Sequence, residues 1–458
     1  MGFARKTLQR VAFALMGSKA GAHLRQLKDS QRLPVQQLQD AQHARLSRLL
    51  KHAYDNVPYY REVMTAAGIT GDFQQPADLL RRLPYLDRQA LLANGETLKS
   101  ADLGRRKWKA NTSGGSTGEP VRFIQDLEYL DWARAVTSLF DQWAGYHMGM
   151  PKILLWGSER DLLVGKETPE FRAKRLIKNE IILNSFKMTP EHMRKYVDII
   201  NASSAQHMLA YAEGVYELSR FIEQEGLAVR PIRVIATAAG TLHPHMRETI
   251  ERVFRAHTFN RYGSREMAGA ASECDQQTGL HVSALTHYIE IVRPDGTPAD
   301  PGEMGEILVT PMTNYAMPML RYRIGDMAMW AEGDCPCGCT WPRLAQIVGR
   351  VTDVFVRRDG SVVTPEFFIH IVGVVCNTGW IKRFQVIQED YERIRILIVP
   401  TEAGADVAQQ SEAAMEDIRT KLRVCMGADC VIDFEFVETI EPSPSGKYLY
   451  TVSKIARK

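Results

Sequence analysis

Residues 111–120 read Asn-Thr-Ser-Gly-Gly-Ser-Thr-Gly-Glu-Pro. Glycines allow backbone N–H groups to approach and wrap an anion, and the serine and threonine hydroxyls add further donors. The segment therefore has the chemistry of a polyphosphate-binding loop. It is not a P-loop, because no Gly-Lys-Ser/Thr closes it at the required spacing. A flexible polar linker would share its Gly/Ser composition, so its interpretation depends on the rest of the chain.

Length and composition indicate a folded protein of more than one domain. The chain has 458 residues, of which 45% are hydrophobic and 24% charged, and these fractions are ordinary for globular proteins. Its length predicts two or more domains. The formal net charge is only +3 and no long basic tract is present, so nucleic-acid binding is not indicated. A small-molecule substrate is the better expectation.

The N-terminus holds the one candidate targeting segment. Arg5, Lys6 and Arg10 precede an apolar run over residues 11–17, which is short even for the apolar core of a signal peptide. We predict an amphipathic helix that makes at most weak contact with a membrane surface. No other stretch has the length needed to cross a bilayer, and we predict a cytoplasmic protein.

Hydrophobic periodicity predicts an α/β fold for most of the chain. Residues 35–66 carry apolar positions at helical spacing, as part of a helical start over 1–66. Short apolar runs at 153–156, 233–236 and 307–309 then alternate with helical patterns. Such alternation is typical of strands buried under helices, with ligand sites in the loops that follow the strands.

The end of the chain has a different pattern. Ile394, Ile396 and Ile398 alternate with polar residues as in a strand, residues 432–436 repeat this, and a helical pattern lies between. We therefore predict a large N-terminal domain over 1–349 and a small, mobile α+β domain over 350–458.

Further motifs accompany the glycine-rich loop in a fixed order. Together they resemble the adenylate-forming superfamily, the acyl-CoA synthetases and their relatives, and within it the phenylacetate–CoA ligase-like and capsule-associated ligase branch. The resemblance covers the chain from roughly residue 40 to its end. The matching segments are His52-Ala53-Tyr54-Asp55-Asn56-Val57-Pro58-Tyr59-Tyr60, Tyr262-Gly263-Ser264-Arg265-Glu266, Arg321-Tyr322-Arg323-Ile324-Gly325-Asp326, Gly349-Arg350 and Pro442-Ser443-Pro444-Ser445-Gly446-Lys447.

The resemblance implies a fold, a multi-subdomain adenylate-forming domain followed by a small α+β domain, and a role for each matched residue. Glu266 would help to hold Mg²⁺, and Lys447 would be the catalytic cation. Asp326 would bind the ribose hydroxyls. The residues implied to contact ATP are Thr112, Ser113, Gly114, Gly115, Ser116, Thr117, Gly118, Ala239, Gly240, Tyr262, Gly263, Ser264, Asp326 and Arg350.

Each of the main side chains has an ordinary structural alternative. Lys447 could be a solvated surface lysine, and Asp326 a helix cap or a surface carboxylate. Glu266 and Arg350 could form ion pairs that have no nucleotide partner, and Tyr262 could be a core aromatic. The presence of all the motifs in the expected order favours the nucleotide roles.

Two departures from the superfamily pattern concern the adenine-side loop and the hinge. The superfamily usually has an acidic residue in that loop, whereas this chain reads Ala238-Ala239-Gly240-Thr241-Leu242. We therefore expect adenine contacts mainly from the backbone. At the hinge after Gly349-Arg350 the pivot is either Thr352 or Asp353, because the usual Asp or Lys is replaced by Thr352.

A group of cysteines indicates metal binding. Cys335, Cys337 and Cys339 lie within one tight turn, and Cys274 and His281 form a second close pair. Four N/S ligands in two short pairs suit a closed tetrahedral Zn²⁺ site of structural type. The branch often has a Cys and His followed by Cys-x-Cys-Gly, which supports Cys274, His281, Cys335 and Cys337. Cys339 is then a free thiol or a competing ligand, and all five could instead be buried structural residues.

The predicted function is that of an ATP-dependent carboxylic acid ligase. It would form an acyl-adenylate and pyrophosphate, then transfer the acyl group, with coenzyme A as the first-choice acceptor. A ligase that transfers the acyl group to an amine or hydroxyl is one alternative, and an inactive binding protein of the same fold is another. The implied cofactors are ATP, Mg²⁺, structural Zn²⁺ and coenzyme A, and the partners are a small carboxylic acid and an acyl acceptor.

Overall fold

A computed structural model describes residues 17–112, 121–156, 178–185, 188–350, 355–358, 362–363, 365–372, 380–401, 405–441 and 449–455. Its elements are numbered here along those residues. The helices are α1 (Ala20–Ser30), α2 (Val35–Asn56), α3 (Pro58–Ala66), α4 (Pro76–Arg81), α5 (Arg88–Ala93), α6 (Leu127–Trp143), α7 (Pro190–Ala202), α8 (Ala212–Gln224), α9 (Pro244–Phe254), α10 (Pro365–His370) and α11 (Ala405–Met426).

The strands are β1 (Trp108–Thr112), β2 (Arg122–Asp126), β3 (Lys152–Trp156), β4 (Glu180–Asn184), β5 (His207–Tyr211), β6 (Val234–Ala238), β7 (His257–Ser264), β8 (Ala268–Glu273), β9 (Leu280–Val282), β10 (His287–Val292), β11 (Met304–Pro311), β12 (Tyr322–Trp330), β13 (Arg343–Arg350), β14 (Phe355–Val356), β15 (Val362–Val363), β16 (Ile381–Asp390), β17 (Arg393–Pro400), β18 (Val431–Phe436) and β19 (Thr451–Ser453). The described residues fall into two compact units. The smaller contains residues from 347 onward together with 325–328, and the larger contains the rest.

The main sheet has eleven strands in the order β10-β11-β12-β13-β9-β8-β7-β6-β5-β3-β4. Strands β4, β3, β5, β6 and β7 are parallel, whereas β7, β8 and β9 are antiparallel. Parallel strands need crossover connections, and these are supplied by helices such as α8 and α9. The predicted α/β architecture is confirmed.

Local sequence determines where several helices begin and end. Asp126 caps α6 by accepting a hydrogen bond from the Tyr129 backbone N–H, and Thr189 caps α7, which has Pro190 at its first position. The opening helical segment is divided at Val57, because Pro58 cannot continue α2 but suits the first turn of α3. The core has fully buried leucines such as Leu46 and Leu49 in α2.

The smaller unit has a four-stranded sheet in the order β18-β17-β16-β19. Strands β16 and β17 are antiparallel, and β17 is parallel to β18 through the crossover helix α11. Ile394, Ile396 and Ile398 pack with Ile418 and Leu422 of α11 in one buried cluster. This is the predicted α+β arrangement.

Among the residues that the structure describes, no helix has the length and apolar character needed to cross a membrane. The N-terminal helix predicted before residue 17 lies outside the described residues. Its membrane contact and the cytoplasmic location stay predictions.

Candidate active site

The loops that carry the nucleotide motifs follow neighbouring parallel strands. Strand β5 ends at Tyr211 and passes directly into α8, β6 ends at Ala238, and β7 ends at Ser264. Tyr211 pairs with Ala238 in the sheet register, so Glu213 and Gly240, two residues further on, follow adjacent strands at the same edge. This carboxyl edge is where ligands bind in open α/β sheets.

The glycine-rich segment is the connection of the β1–β2 hairpin. Thr112, its first predicted contact residue, is the last residue of β1 and pairs with Arg122 of β2. The Asn111 Oδ1 atom accepts a hydrogen bond from the Thr112 backbone N–H at 2.8 Å. The remaining predicted members, residues 113–118, lie outside the described residues, so their phosphate contacts stay a prediction.

The Tyr262–Glu266 motif forms the tight turn between β7 and β8. Tyr262 is buried, while Ser264 and Glu266 are half-buried. Gly263 is needed at its position, because an added Cβ would lie 2.3 Å from the Ala268 carbonyl oxygen. The Glu266 backbone N–H donates to Ser264 Oγ at 3.2 Å. The turn thus presents a partly exposed carboxylate on a closely packed backbone.

Buried side chains hold the carbonyl groups of this turn. The Tyr129 hydroxyl donates to the Glu266 carbonyl at 3.3 Å, and His287 Nε2 lies 2.8 Å from the Met267 carbonyl. Burial and the Glu266 carboxylate raise the pKa of Tyr129, so its hydroxyl keeps its proton. Burial lowers the pKa of His287 to about 4. His287 is therefore neutral near pH 7, with its proton on Nε2 because a carbonyl can only accept.

A buried ion cluster anchors β7 immediately before Tyr262. Asp141 accepts from Arg261 Nη1 at 2.7 Å and from Lys152 Nζ at 3.1 Å, and all three side chains are largely buried. Burial opposes ionisation of Asp141, but the two cations outweigh it and hold the pKa of Asp141 below its usual value. The cluster joins α6, the start of β3 and β7.

A carboxylate from another part of the chain lies against the adenine-side loop, whose own sequence has no acidic residue. Ala239 has a left-handed φ of 65°, which is unfavourable for a residue with a side chain. A Cβ added to Gly240 would lie 2.2 Å from Oε2 of Glu213. The half-buried Glu213 carboxylate, from the first turn of α8, therefore occupies the space where a side chain at position 240 would begin. Sequence reasoning missed this neighbour because 27 residues and a whole helix separate the two positions.

Two of the other predicted nucleotide residues lie in strands of the main sheet. Asp326 lies within β12, is half-buried and follows Gly325, which has a φ of +83°. Arg350 is the last residue of β13. Lys447, Thr352 and Asp353 lie outside the described residues. The nucleotide, catalytic and hinge roles assigned to these residues stay predictions.

The Cys274/His281 pair and the Cys335/Cys337 pair come together in the larger unit. The ligand atoms of Cys274, His281, Cys335 and Cys337 all lie within 4.8 Å of one another. The two strands β9 and β13 pair beside this group, with His281 opposite Arg343. His281 is fully buried, Cys274 and Cys335 are buried, and Cys337 is partly exposed.

Two distances among the four ligand atoms are those expected around zinc. Tetrahedral zinc, with Zn–S of about 2.3 Å and Zn–N of about 2.0–2.1 Å, places two sulfurs about 3.8 Å apart and a sulfur and a nitrogen about 3.6 Å apart. Cys274 Sγ lies 3.7 Å from Cys335 Sγ, and Cys337 Sγ lies 3.4 Å from His281 Nε2. His281 Nδ1 faces the Trp341 carbonyl at 3.4 Å, which fixes the proton on Nδ1 and directs the Nε2 lone pair toward the thiols.

Cys339 is separate from the four-residue group. Its side chain packs against an apolar cluster that includes Trp341, and its backbone N–H donates to Cys337 Sγ at 3.4 Å. Burial raises the pKa of Cys339 to about 12, so it is a neutral thiol near pH 7. Of the two roles that the sequence left open, this position favours the free thiol.

Comparison with solved structures identifies the fold. The 2-hydroxyisobutyryl-CoA ligase in the postadenylation state, in complex with R3-HIB-AMP, has a TM-score of 0.72 at 17% identity, covering 93% of this chain and 91% of that one. Fatty acyl-adenylate ligases from E. coli and L. pneumophila give a TM-score of 0.55 at 14% identity, covering 74% and 67%. The fold and motifs define an adenylate-forming ligase.

Comparison with known sequences identifies the branch. Phenylacetate-coenzyme A ligase from Escherichia coli (strain K12) is 30% identical over 350 residues, which cover 74% of this chain and 77% of that protein. Protein CapK from Staphylococcus aureus is 22% identical over 421 residues, covering 91% and 89%, and residues 355–454 match the CapK C-terminal domain family. The chain belongs to the phenylacetate–CoA ligase-like branch of the adenylate-forming superfamily, which confirms the predicted enzyme class.

Proposed function

We propose that this ligase activates a small carboxylic acid with ATP, releases pyrophosphate, and transfers the acyl group to coenzyme A. The observation that supports it most directly is the position of the candidate ATP loops. Glu213, Gly240 and the Tyr262–Glu266 turn follow adjacent strands at the carboxyl edge of the sheet. The hairpin that carries Thr112 is hydrogen-bonded to the same turn through Gln125.

The residue types suit the first half-reaction. Attack of a carboxylate on the α-phosphate concentrates negative charge, so catalysis requires positioning and electrostatic stabilisation. Lys447 would supply a cation at the α-phosphate. The glycine-rich segment would donate backbone N–H groups to the phosphates, and Asp326 would accept hydrogen bonds from the ribose hydroxyls.

Glu266 is suited to Mg²⁺, which prefers carboxylate oxygens and retains several waters. Its side chain is half-buried while its backbone is held by Ser264 and Tyr129. When bound, Mg²⁺ would neutralise phosphate charge. Tyr262, Gly263 and Ser264 would then form the wall beside the nucleotide.

Glu213 extends the predicted nucleotide site. Its carboxylate lies against Gly240, in the loop where the superfamily usually has an acidic residue. A carboxylate there can accept a hydrogen bond from the adenine amino group, while Ala239 and Gly240 contribute backbone contacts. We therefore add Glu213 to the residues proposed to bind ATP.

The acceptor is proposed from the relatives. The E. coli relative is a coenzyme A ligase, which supports coenzyme A here. An amine or hydroxyl acceptor is the second candidate, because the amide bond synthetase McbA shares the fold, with a TM-score of 0.50.

One assay tests both halves of this proposal. Aromatic, fatty and amino acids are screened for acid-dependent pyrophosphate release, and each active acid is then incubated with coenzyme A or with hydroxyl and amine acceptors. We expect release with at least one acid and a thioester product. No release with any acid would contradict adenylation, whereas release followed by ester or amide formation alone would identify the other acceptor.

The four-residue cluster is proposed to hold one structural Zn²⁺. Support comes from its Cys₃His donor set, from the two ligand distances and from the hydrogen bond that orients His281. Four protein ligands complete a tetrahedral shell. The ion would therefore link the β8–β9 segment to the Cys335–Cys337 turn and leave no position for catalysis.

A further inference from the structure

Three buried side chains donate hydrogen bonds to three successive backbone carbonyls. Two of these carbonyls belong to the Tyr262–Glu266 turn, and the third belongs to the residue that follows it. Arg265 accepts from Gln125 Nε2 at 2.9 Å, Glu266 from the Tyr129 hydroxyl, and Met267 from His287 Nε2. Turn carbonyls on a protein surface usually face water. The backbone on both sides of the Glu266 Cα is instead fixed by the interior.

Gln125 differs from the other two donors because it bridges two candidate ATP segments. Its Oε1 accepts from Asn111 Nδ2 at 3.1 Å, and Asn111 Oδ1 accepts from the Thr112 N–H. Both amide orientations are determined, since the Arg265 carbonyl can only accept and the Thr112 N–H can only donate. A continuous chain of hydrogen bonds therefore runs from Thr112 through Asn111 and Gln125 to Arg265.

Burial strengthens the effect of this chain of hydrogen bonds. Gln125 is 4% exposed, so its amide has little access to water and depends on its two protein partners, Asn111 and the Arg265 carbonyl. Asp126, the next residue, caps α6 through Tyr129 and accepts from the Tyr315 backbone N–H. Gln125 thus lies on a strand whose position is independently fixed.

We propose that Gln125 is a positioning residue that sets the separation between the hairpin bearing the glycine-rich segment and the carboxylate of Glu266. This inference rests on the proposed adenylation site, in which those two elements bind the phosphates and Mg²⁺ of one ATP. A small displacement between groups that act on the same phosphates is costly to catalysis. In this role Gln125 acts through Asn111 and the Arg265 carbonyl.

The test compares Gln125→Met with Asn201→Leu. Asn201 bonds the Ala228 carbonyl and the Arg230 N–H on an exposed surface, so its variant also removes two amide hydrogen bonds but lies outside the site. We expect Gln125→Met to lower kcat/KM for ATP and the equilibrium affinity for ATP with Mg²⁺, measured by calorimetry without acid, by about 10-fold or more. Asn201→Leu should leave both unchanged.

Hydrogen exchange provides a readout that does not depend on turnover. In the free protein, peptides covering 108–112 and 262–268 should exchange faster in Gln125→Met than in wild type or Asn201→Leu. Unchanged exchange and unchanged ATP affinity would overturn the inference. Failure of wild type to release pyrophosphate with any acid would contradict the proposed function instead. In that case hydrogen exchange would still show whether Gln125 couples the β1–β2 hairpin to the Tyr262–Glu266 turn.

A second variant separates positioning from general loss of packing. A glutamate at position 125 can still accept from Asn111, but it can donate to the Arg265 carbonyl only when protonated. Burial raises the pKa of such a carboxyl. The activity of Gln125→Glu relative to wild type should therefore rise as the pH falls from about 8 to about 6, whereas that of Gln125→Met should stay constant. Parallel pH profiles for the two variants would contradict the donor role.

Discussion

Oε2 of Glu213 lies 2.2 Å from the point where a Cβ at Gly240 would stand. The two residues are therefore sterically complementary, since the carboxylate occupies space that only a glycine leaves open. A second glycine in the site, Gly263, has an equally close neighbour, but that neighbour is the Ala268 backbone carbonyl at 2.3 Å. A side-chain carboxylate can move away, whereas a backbone carbonyl in a paired strand cannot.

Alanine substitutions at the two glycines should therefore differ in effect. Gly263→Ala should lower the free energy of unfolding by about 1–3 kcal/mol because the β7–β8 turn must shift. Gly240→Ala should change it by less than about 0.5 kcal/mol but weaken ATP binding by displacing Glu213. Denaturant unfolding and calorimetric ATP titration measure the two effects.

The link to Glu213 is tested by a double-variant cycle. Once Glu213→Ala has removed the carboxylate, adding Gly240→Ala should cause no further loss of ATP affinity. Additive losses would show that Gly240 acts independently of Glu213.

Replacement of Lys447 should separate the two half-reactions. A cation at the α-phosphate serves only adenylation, so Lys447→Ala should lower acid-dependent pyrophosphate release by about 100-fold or more. Thioester formation from a supplied acyl-adenylate should change little. Equal loss in both steps would contradict the assignment.

Purified protein should contain about one zinc per chain. Cys335→Ser and Cys337→Ser should release the metal and lower thermal stability, because binding of structural zinc is coupled to folding. Cys339→Ala is the matched control, since Cys339 lies in the same turn but its side chain packs in an apolar cluster. Metal analysis and thermal melts measure these effects, and zinc loss from the control variant would show that Cys339 is a ligand.

Stability should fall in mild acid. Burial lowers the pKa of His287 and of His207 to about 4 and that of His243 to about 3, from a usual 6.5. Between about pH 6.5 and about pH 4 the unfolded chain therefore binds more protons than the folded one. As the pH falls through this range, each such histidine lowers the free energy of unfolding by up to about 1.4 kcal/mol per pH unit. Above about pH 6.5 the contribution of these neutral histidines to the free energy of unfolding is fully present.

One variant isolates the contribution of His287. In His287→Gln the amide can still donate to Met267 but cannot titrate, so the slope of unfolding free energy against pH should decrease by up to one proton. Denaturant unfolding of wild type and His287→Gln, each measured between about pH 8 and about pH 4, gives the two slopes. An unchanged slope in His287→Gln would show that His287 is not the titrating group.

Movement of the small domain is predicted to pivot at Thr352 or Asp353. In this prediction Lys447 reaches the α-phosphate during adenylation, and the acceptor later approaches the acyl carbonyl from the side that the Lys447 loop would cover. Thr352→Pro fixes φ and restricts the preceding residue. It should therefore slow one half-reaction far more than the other in single-turnover assays, and near-wild-type rates in both would place the pivot elsewhere.

Local patterns allowed much of the fold to be predicted from sequence. Alternation at Ile394, Ile396 and Ile398 predicted β17, and helical spacing over 35–66 predicted the segment that the structure divides into α2 and α3 at Pro58. These predictions succeed because the periods of strands and helices are set by neighbouring residues. The order of the motifs likewise identified the enzyme class, and the Cys274/His281 and Cys335/Cys337 pairs identified the four residues that meet in the folded chain.

The sequence by itself therefore determined the elements with a clear period, the enzyme class and the Cys/His group of the candidate metal site. Only the tertiary structure decided which distant groups become neighbours. Gln125 and Arg265 are 140 residues apart in sequence and Cys274 and Cys335 are 61 apart, yet each pair is in contact. The first contact depends on how the β1–β2 hairpin packs against the β7–β8 turn, and the second lies beside the pairing of β9 with β13. Glu213 meets Gly240 through the register of the parallel strands β5 and β6, whose ends lie at one edge. No local pattern in the chain specifies that register, and so Glu213 and Gln125 could be assigned only from the fold.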